Sequence, residues 1–239
     1  KIAFLSELFL PYSNGGAEHS VWYLAKEIRN KGHNSIIITP NYGQKTTQTN
    51  YGVPIKRFPI YIKLKKNQIP GNFALTNPFW FLWSLVWYFI FLKRENPDII
   101  SVQGKYSLPQ VYLANLLLRK PLFFTARDYV PICNYGLCLI HSKKSCNLIT
   151  YFKKDFSAYL NIYDENKNIL IIVANIIFAL WGRMYVFVLR FFLKKVKIIV
   201  LSKAQKIIYV ANGFKVFSVI GNPYIFNKNS NVQIKENKV

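Results

Sequence analysis

Residues 1–39 read KIAFLSELFLPYSNGGAEHSVWYLAKEIRNKGHNSIIIT, and how this stretch folds decides the rest of the chain. Ile2-Ala3-Phe4-Leu5 is a short apolar strand. Pro11 follows, then Asn14-Gly15-Gly16, and Ala17-Glu18 opens a helix. Ala17, Val21, Leu24, Ala25 and Ile28 recur at the spacings of one apolar helix face. Lys31-Gly32-His33 closes that helix with a basic last turn and a C-cap glycine. Ser35-Ile36-Ile37-Ile38-Thr39 is a second buried strand, so the stretch is a βαβ unit. A glycine pair between strand and helix lets backbone N–H groups approach a ligand with no Cβ in the way. The helix N-terminus behind the pair adds donors and partial positive charge, a combination suited to phosphate. A plain tight turn also uses two glycines, and no G-x-G-x-x-G occurs; the weight rests on the ordered series of strand, glycine pair, acid, helix and Gly-His exit.

Working outward, Pro54 to Phe58 is a third strand, and Lys63, Lys65 and Lys66 make the loop before Pro70-Gly71 basic. Phe79 to Leu92 is a 14-residue apolar run holding Trp80, Trp83 and Trp87. It falls short of the ~20 residues that cross a bilayer, so it predicts a buried or interfacial helix ended by Lys93-Arg94-Glu95-Asn96-Pro97. Asp98 leads into a fourth strand, Ile99 to Val102, with Gln103 after it. A helix over Leu108–Leu118 and a fifth strand over 120–125 follow. That strand delivers Ala126-Arg127-Asp128-Tyr129 to its C-terminal end, where ligands collect in open α/β sheets. Lys197 to Ser202 is a sixth strand, and Ser202 caps a helix over 203–211. Val216 to Ile220 is a seventh, leading to Gly221-Asn222-Pro223-Tyr224. Apolar strands alternating with helices predict an α/β fold: a doubly wound parallel sheet of about seven strands with a helical insertion at 131–195.

Within the insertion, Ile169–Leu193 is long enough to cross a membrane, but Arg183 and Arg190 interrupt it. Each would cost roughly 2.5–3.5 kcal/mol near a bilayer centre. A helix packed on the domain or lying in the interface is one outcome, and a single transmembrane span is the other.

A chain that is 51% hydrophobic and 17% aromatic builds a sizeable core and is not disordered. Its net charge of +22 points to an anionic partner, although Lys-, Asn- and Ile-rich composition accounts for part of it. Nucleic acid is disfavoured: the basic residues are scattered, and the aromatic residues sit in apolar runs. Cys133, Cys138, Cys146 and His141 lie close in sequence and are chemically able to hold zinc, yet they lack tight C-x2-C pairs. Free thiols or one local disulfide is the simpler reading, and no metal is expected. Three cysteines in 239 residues do not make a disulfide-built fold. No G-x-S-x-G, P-loop, H-E-x-x-H or kinase set is present.

The series of elements resembles the N-terminal domain of family 4 glycosyltransferases, enzymes of the GT-B fold, over about residues 1–128 and 196–224. The resemblance implies a Rossmann-like domain over 1–226 and a linker or tail over 227–239 toward a C-terminal donor-binding domain. The E-x7-E motif of that second domain does not occur here in its family context, and the chain opens on Lys1 without an initiator Met, as a fragment would. In the family's terms Gly15 and Gly16 bind the donor phosphates. Arg127 and Asp128, in the turn that the family writes T-x-[RH]-D, are the catalytic candidates. Glu18, His19 and Gln103 are the acceptor-binding candidates. Gln103 replaces a family histidine; an amide can hydrogen-bond a sugar hydroxyl but cannot act as a general base. The implied function is the acceptor-side half of a retaining glycosyltransferase in glycan, polysaccharide or glycolipid synthesis. Its donor would be a nucleotide-diphosphate sugar, its acceptor a glycan or lipid-linked molecule, and no other cofactor is called for. The expected place is cytoplasmic, on the inner face of an anionic membrane. Alone, such a half should not transfer sugar efficiently. The rival reading is a non-catalytic, membrane-associated binding module that lacks the donor domain.

Overall fold

The computed structural model describes residues 1–11, 15–44, 46–50, 52–60, 72–132 and 169–223. In chain order the elements are β1 (Ile2–Leu5), α1 (Gly16–Asn30), β2 (Ser35–Asn41), β3 (Thr47–Asn50), β4 (Val53–Pro59), α2 (Pro78–Glu95) and β5 (Ile99–Val102). Then come α3 (Leu108–Leu118), β6 (Leu122–Ala126), α4 (Ile169–Leu193), β7 (Lys197–Val200), α5 (Lys203–Ala211) and β8 (Val216–Val219). They form one eight-stranded sheet in the order β3-β4-β2-β1-β5-β6-β7-β8. Seven strands are parallel, and these are the seven expected from the sequence. The eighth, β3, is an addition: it pairs antiparallel with β4, Asn50 opposite Val53, through a hairpin at Gly52 (φ +79°). Its sequence Thr-Gln-Thr-Asn has no apolar alternation, which is why no strand is predicted there.

Alternation along each strand sorts side chains to two layers. Ala3, Leu5, Ile36 and Ile38 join a core under α2, α3, α4 and α5, while Phe4 and Ile37 face α1 with Val21 and Ala25. Over β5 to β8 the α1 face carries no helix among the described residues. A groove of about 300 Å³ remains there, floored by Phe123, Ile199 and Phe217 and ending at Gln103, Arg127 and Asn222.

The apolar run of α2 forms a helix because Trp80, Ser84, Tyr88 and Leu92, four residues apart, all bury on the sheet. Asn77 starts it, its side chain accepting from the Trp80 N–H (2.8 Å) and donating to the Ala74 carbonyl (3.1 Å). Asn77→Ala should therefore lower stability by about 1–2 kcal/mol, measured as a shift of the urea midpoint. Asn96, left-handed at φ 41°, ends the helix ahead of Pro97.

Among the described residues no helix is long and apolar enough to cross a membrane. The span considered over 169–193 gives way to a packed helix, because Tyr185, Leu189 and Leu193 of α4 are buried in the core. Arg190 donates to the Asn212 carbonyl (3.2 Å) and lies over the Phe214 ring, so its charge is held inside the domain. The tail at 227–239, most of the insertion, the basic loop at 63–66 and Cys133, Cys138, His141 and Cys146 lie outside the described residues.

Candidate functional site

The strand order reverses between β1 and β5, whose chains leave the sheet side by side at Leu5 and Val102. At such a switch point two loops diverge and leave a crevice for ligand. Ser6-Glu7 continues β1, and Gln103-Gly104 continues β5.

Glu7 fills the floor of this region and is 6% exposed. Its carboxylate accepts from the Ser107 hydroxyl (3.1 Å) and the Tyr106 N–H (3.4 Å), and its carbonyl accepts from the Tyr42 hydroxyl (2.7 Å). Ser107 shares a second bond with the Tyr88 hydroxyl (2.6 Å). Burial raises the carboxyl above the ordinary range, against the pull of its hydrogen bonds and of Lys105. Burial, with the Glu7 charge behind it, also raises the Tyr106 and Tyr185 hydroxyls. The sign for stability follows. Below about pH 4.5, the ordinary glutamate value, Glu7 is protonated folded or unfolded and carries no penalty. Raising the pH through the folded value forces ionisation against burial, and stability falls. Glu7→Gln should flatten that part of the pH profile, gaining on the wild type as the pH rises above about 4.5, read from urea midpoints.

Toward the crevice, Arg127 leaves the end of β6. Its Nε and Nη2 donate to the Gln103 Oε1 (3.1 and 2.7 Å), and Nη1 donates to the Asn222 Oδ1 (3.1 Å). The Gln103 amide nitrogen donates to the hydroxyls of Ser101 (2.8 Å) and Thr125 (3.1 Å). Burial brings the guanidinium down to about 10, with the Glu18 charge pulling the other way, so it stays charged at neutral pH. Gln103 thus spends both ends of its amide within the protein and is 5% exposed.

Gly15 is the N-cap of α1 and offers no side chain to its first turn; Gly16 is exposed, with nothing within 4 Å of where a Cβ would stand. Asn14 lies outside the described residues. Arg57 of β4 steadies the chain before this turn through the Leu10 carbonyl (2.8 Å). Glu18 is 9% exposed and its Oε2 has no hydrogen-bond partner among the described residues. His19, next along the same turn, is exposed. Asp128 pairs with Lys105 through Oδ2 and accepts from the Val130 N–H (3.1 Å) through Oδ1, and its side chain is 42% exposed. The Tyr209 hydroxyl holds its carbonyl (2.9 Å).

The fold therefore brings Gln103 and Arg127 to one crevice at the C-terminal edge of the sheet, while Glu18, in the first turn of the glycine-led helix, is near enough for its charge to act on Arg127. Asp128 stands at the same edge in its ion pair, and His19 faces solvent. Sequence reading missed Glu7, Lys105, Ser107 and Asn222. The one available signal was an acid directly after the first strand. No group of three His, Cys, Asp or Glu residues able to hold a metal occurs among the described residues.

A doubly wound sheet with a glycine-led helix at its switch point is one half of a GT-B glycosyltransferase fold. Residues 14–164, more than half of the chain, match Glycosyltransferase Family 4, and the chain belongs to that family. A sucrose-phosphate synthase from Thermosynechococcus elongatus is similar in fold, 11% identical, over 92% of this chain and 47% of its own, with a TM-score of 0.50. HepE of Anabaena in complex with UDP and glucose is 14% identical over 93% and 44%, TM-score 0.46. A UGT transferase from Siraitia grosvenorii in complex with UDP is 12% identical over 96% and 53%, TM-score 0.47. The chain thus spans about half the length of these proteins. No curated protein matches it by sequence.

Proposed function

We propose that this chain is the acceptor-side half of a retaining glycosyltransferase that uses a nucleotide-diphosphate sugar and works at the inner face of a membrane, in glycan or glycolipid synthesis. The observation that carries the reading is Arg127, a half-buried cation fixed at the edge of a parallel sheet beside the start of α1. A guanidinium has five N–H groups. Three are spent on Gln103 and Asn222, which among the described residues leaves two for an incoming oxygen. Gly15 and Gly16 would receive the donor diphosphate on backbone amides at the positive end of α1. The unpaired Glu18 Oε2 would accept from an acceptor hydroxyl, with His19 at the rim. Asp128, fixed by Lys105 and still reachable from solvent, would hold a second hydroxyl. Gln103 would act through Arg127, since its own amide is saturated. The retaining outcome is supported by family membership, and the donor class by the UDP complexes of the similar structures.

The test joins this chain to a donor-binding half, genetically or in trans, and measures release of UDP or GDP from their sugars with lipid-linked and polysaccharide acceptors. Turnover that requires both halves is the expected result. Its absence with every donor and acceptor pair would sink the proposal.

A further inference from the structure

We propose that the outer face of the α2–α3–α4 layer docks on an anionic lipid bilayer, and that the acceptor is a membrane lipid whose head group reaches the crevice from that bilayer. The second half of this statement rests on the transferase reading above; the first does not.

All three helices pack on the same face of the sheet, so their outward sides form one surface. That surface is apolar where a water-facing layer would be polar. On α2, Phe79, Leu82, Val86 and Ile90 are between 43% and 62% exposed, and on α3 Leu117 is 75% exposed. On α4 the exposed residues among the described side chains are Val173, Ile177, Leu180, Met184, Phe187 and Phe191, at alternating steps of four and three. A contiguous patch of this kind marks a binding surface. Its charge selects the partner. The three helices contain a single acidic residue, Glu95, and that carboxylate is tied to Lys1 and Lys56. Lys93 and Arg94 of α2, and Lys194 and Lys195 just beyond α4, are exposed at the helix ends. Apolar stripes bordered by basic groups, on a chain of net charge +22, complement anionic lipid. A second copy of the chain would present the same face, which has no free acid to meet these cations.

Helix length places this surface beside the crevice. At 1.5 Å per residue, α4 is about 37 Å long, whereas β6 and β7, at about 3.3 Å per residue, rise only about 13–17 Å. Among the described side chains of α4 the buried ones start at Tyr185, and Trp181 donates to the Thr76 hydroxyl (2.8 Å) just ahead of α2. Because α4 ends at Leu193, next to the start of β7, residues 169–180 project past the C-terminal ends of the strands, the edge that carries Gln103 and Arg127. This projecting part, ILIIVANIIFAL, contains no charged residue.

The test uses the 239-residue chain and co-sedimentation with phosphatidylcholine vesicles, with and without about 30% phosphatidylglycerol. Wild type should partition at least tenfold more strongly onto the anionic vesicles. Ile177→Asp with Leu180→Asp, both at exposed positions, should lose tenfold or more at unchanged circular dichroism and Tm. Equal binding by wild type and the double variant would overturn the docking surface, as would a wild type that stays in the supernatant. Velocity sedimentation showing a lipid-independent dimer that the variant abolishes would assign the face to a second copy instead. None of these readouts involves a sugar nucleotide, so they stand or fall apart from the transferase reading. In the joined enzyme, long-chain lipid acceptors in vesicles should exceed short-chain soluble analogues at least tenfold, and the double variant should erase the difference. An enzyme indifferent to chain length would overturn the lipid acceptor alone.

Discussion

Gly104→Ala should destabilise the domain by about 3 kcal/mol, because the side chain of Glu7 already occupies the space that a methyl group needs. A Cβ at residue 104 would stand 1.6 Å from the Glu7 Oε2 and 2.3 Å from its carboxyl carbon. Backbone strain has no part in this, since Gly104 sits at φ −115°, ψ 134°, where any residue is comfortable. The carboxyl would have to leave its bonds from Ser107 and Tyr106 inside a pocket walled by Tyr88 and Tyr106, and a buried carboxylate without donors is costly. A double-mutant cycle checks the cause. With Glu7→Ala in place the Cβ has room, so Gly104→Ala should cost far less there, a coupling of about 1.5–2 kcal/mol by urea denaturation. Strict additivity would show that the contact is not the reason.

Arg127→Ala should have the largest effect on activity. In the joined enzyme kcat/KM should fall by about 10²–10³, the usual loss for one pre-aimed donor in a crevice of low dielectric. Stability should fall as well, by about 1–3 kcal/mol, because the buried Gln103 Oε1 loses both of its donors. Arg127→Lys separates charge from shape. It restores the cation, but a single ammonium cannot serve Gln103, Asn222 and a ligand in one plane. Its activity should lie between the two, with little recovery of stability. Because the guanidinium titrates at about 10, the wild type should show no Arg127-dependent change in rate between about pH 6 and 8. A kcat/KM for Arg127→Ala within threefold of wild type would remove Arg127 from the site.

Much of the architecture was legible because its signals are local. The apolar runs at 2–5, 35–39, 99–102 and 197–200 are strands wherever they are placed. The helix over 108–118 carries Pro109 in its first turn and ends at Arg119, left-handed at φ 53°. Strand β3 was invisible because an edge strand of polar residues is held by backbone pairing to β4 and by the hairpin at Gly52, neither of which leaves an apolar period. The site was half legible. Arg127 was placed by its position after a strand, a rule about the sheet, and Gln103 by the family pattern it resembles. Glu7 was not, since one acid in a loop looks like solvated surface until Gly104 and Ser107, about a hundred residues away, close over it. Asp128 was marked as a reactive carboxylate, and the fold adds its ion pair with Lys105 from the neighbouring strand's loop.

Residue order and spacing were enough for the seven parallel strands and the glycine-led first helix, because hydrophobic periodicity and turn chemistry act over a few neighbouring positions. Which polar groups are buried, which are paired, and which apolar faces remain open depend on contacts between strands and helices distant along the chain. Gln103 shows the division. Its place after the fourth parallel strand can be read from a dozen residues, but its saturation by Arg127, Ser101 and Thr125 exists only once β5 and β6 lie side by side.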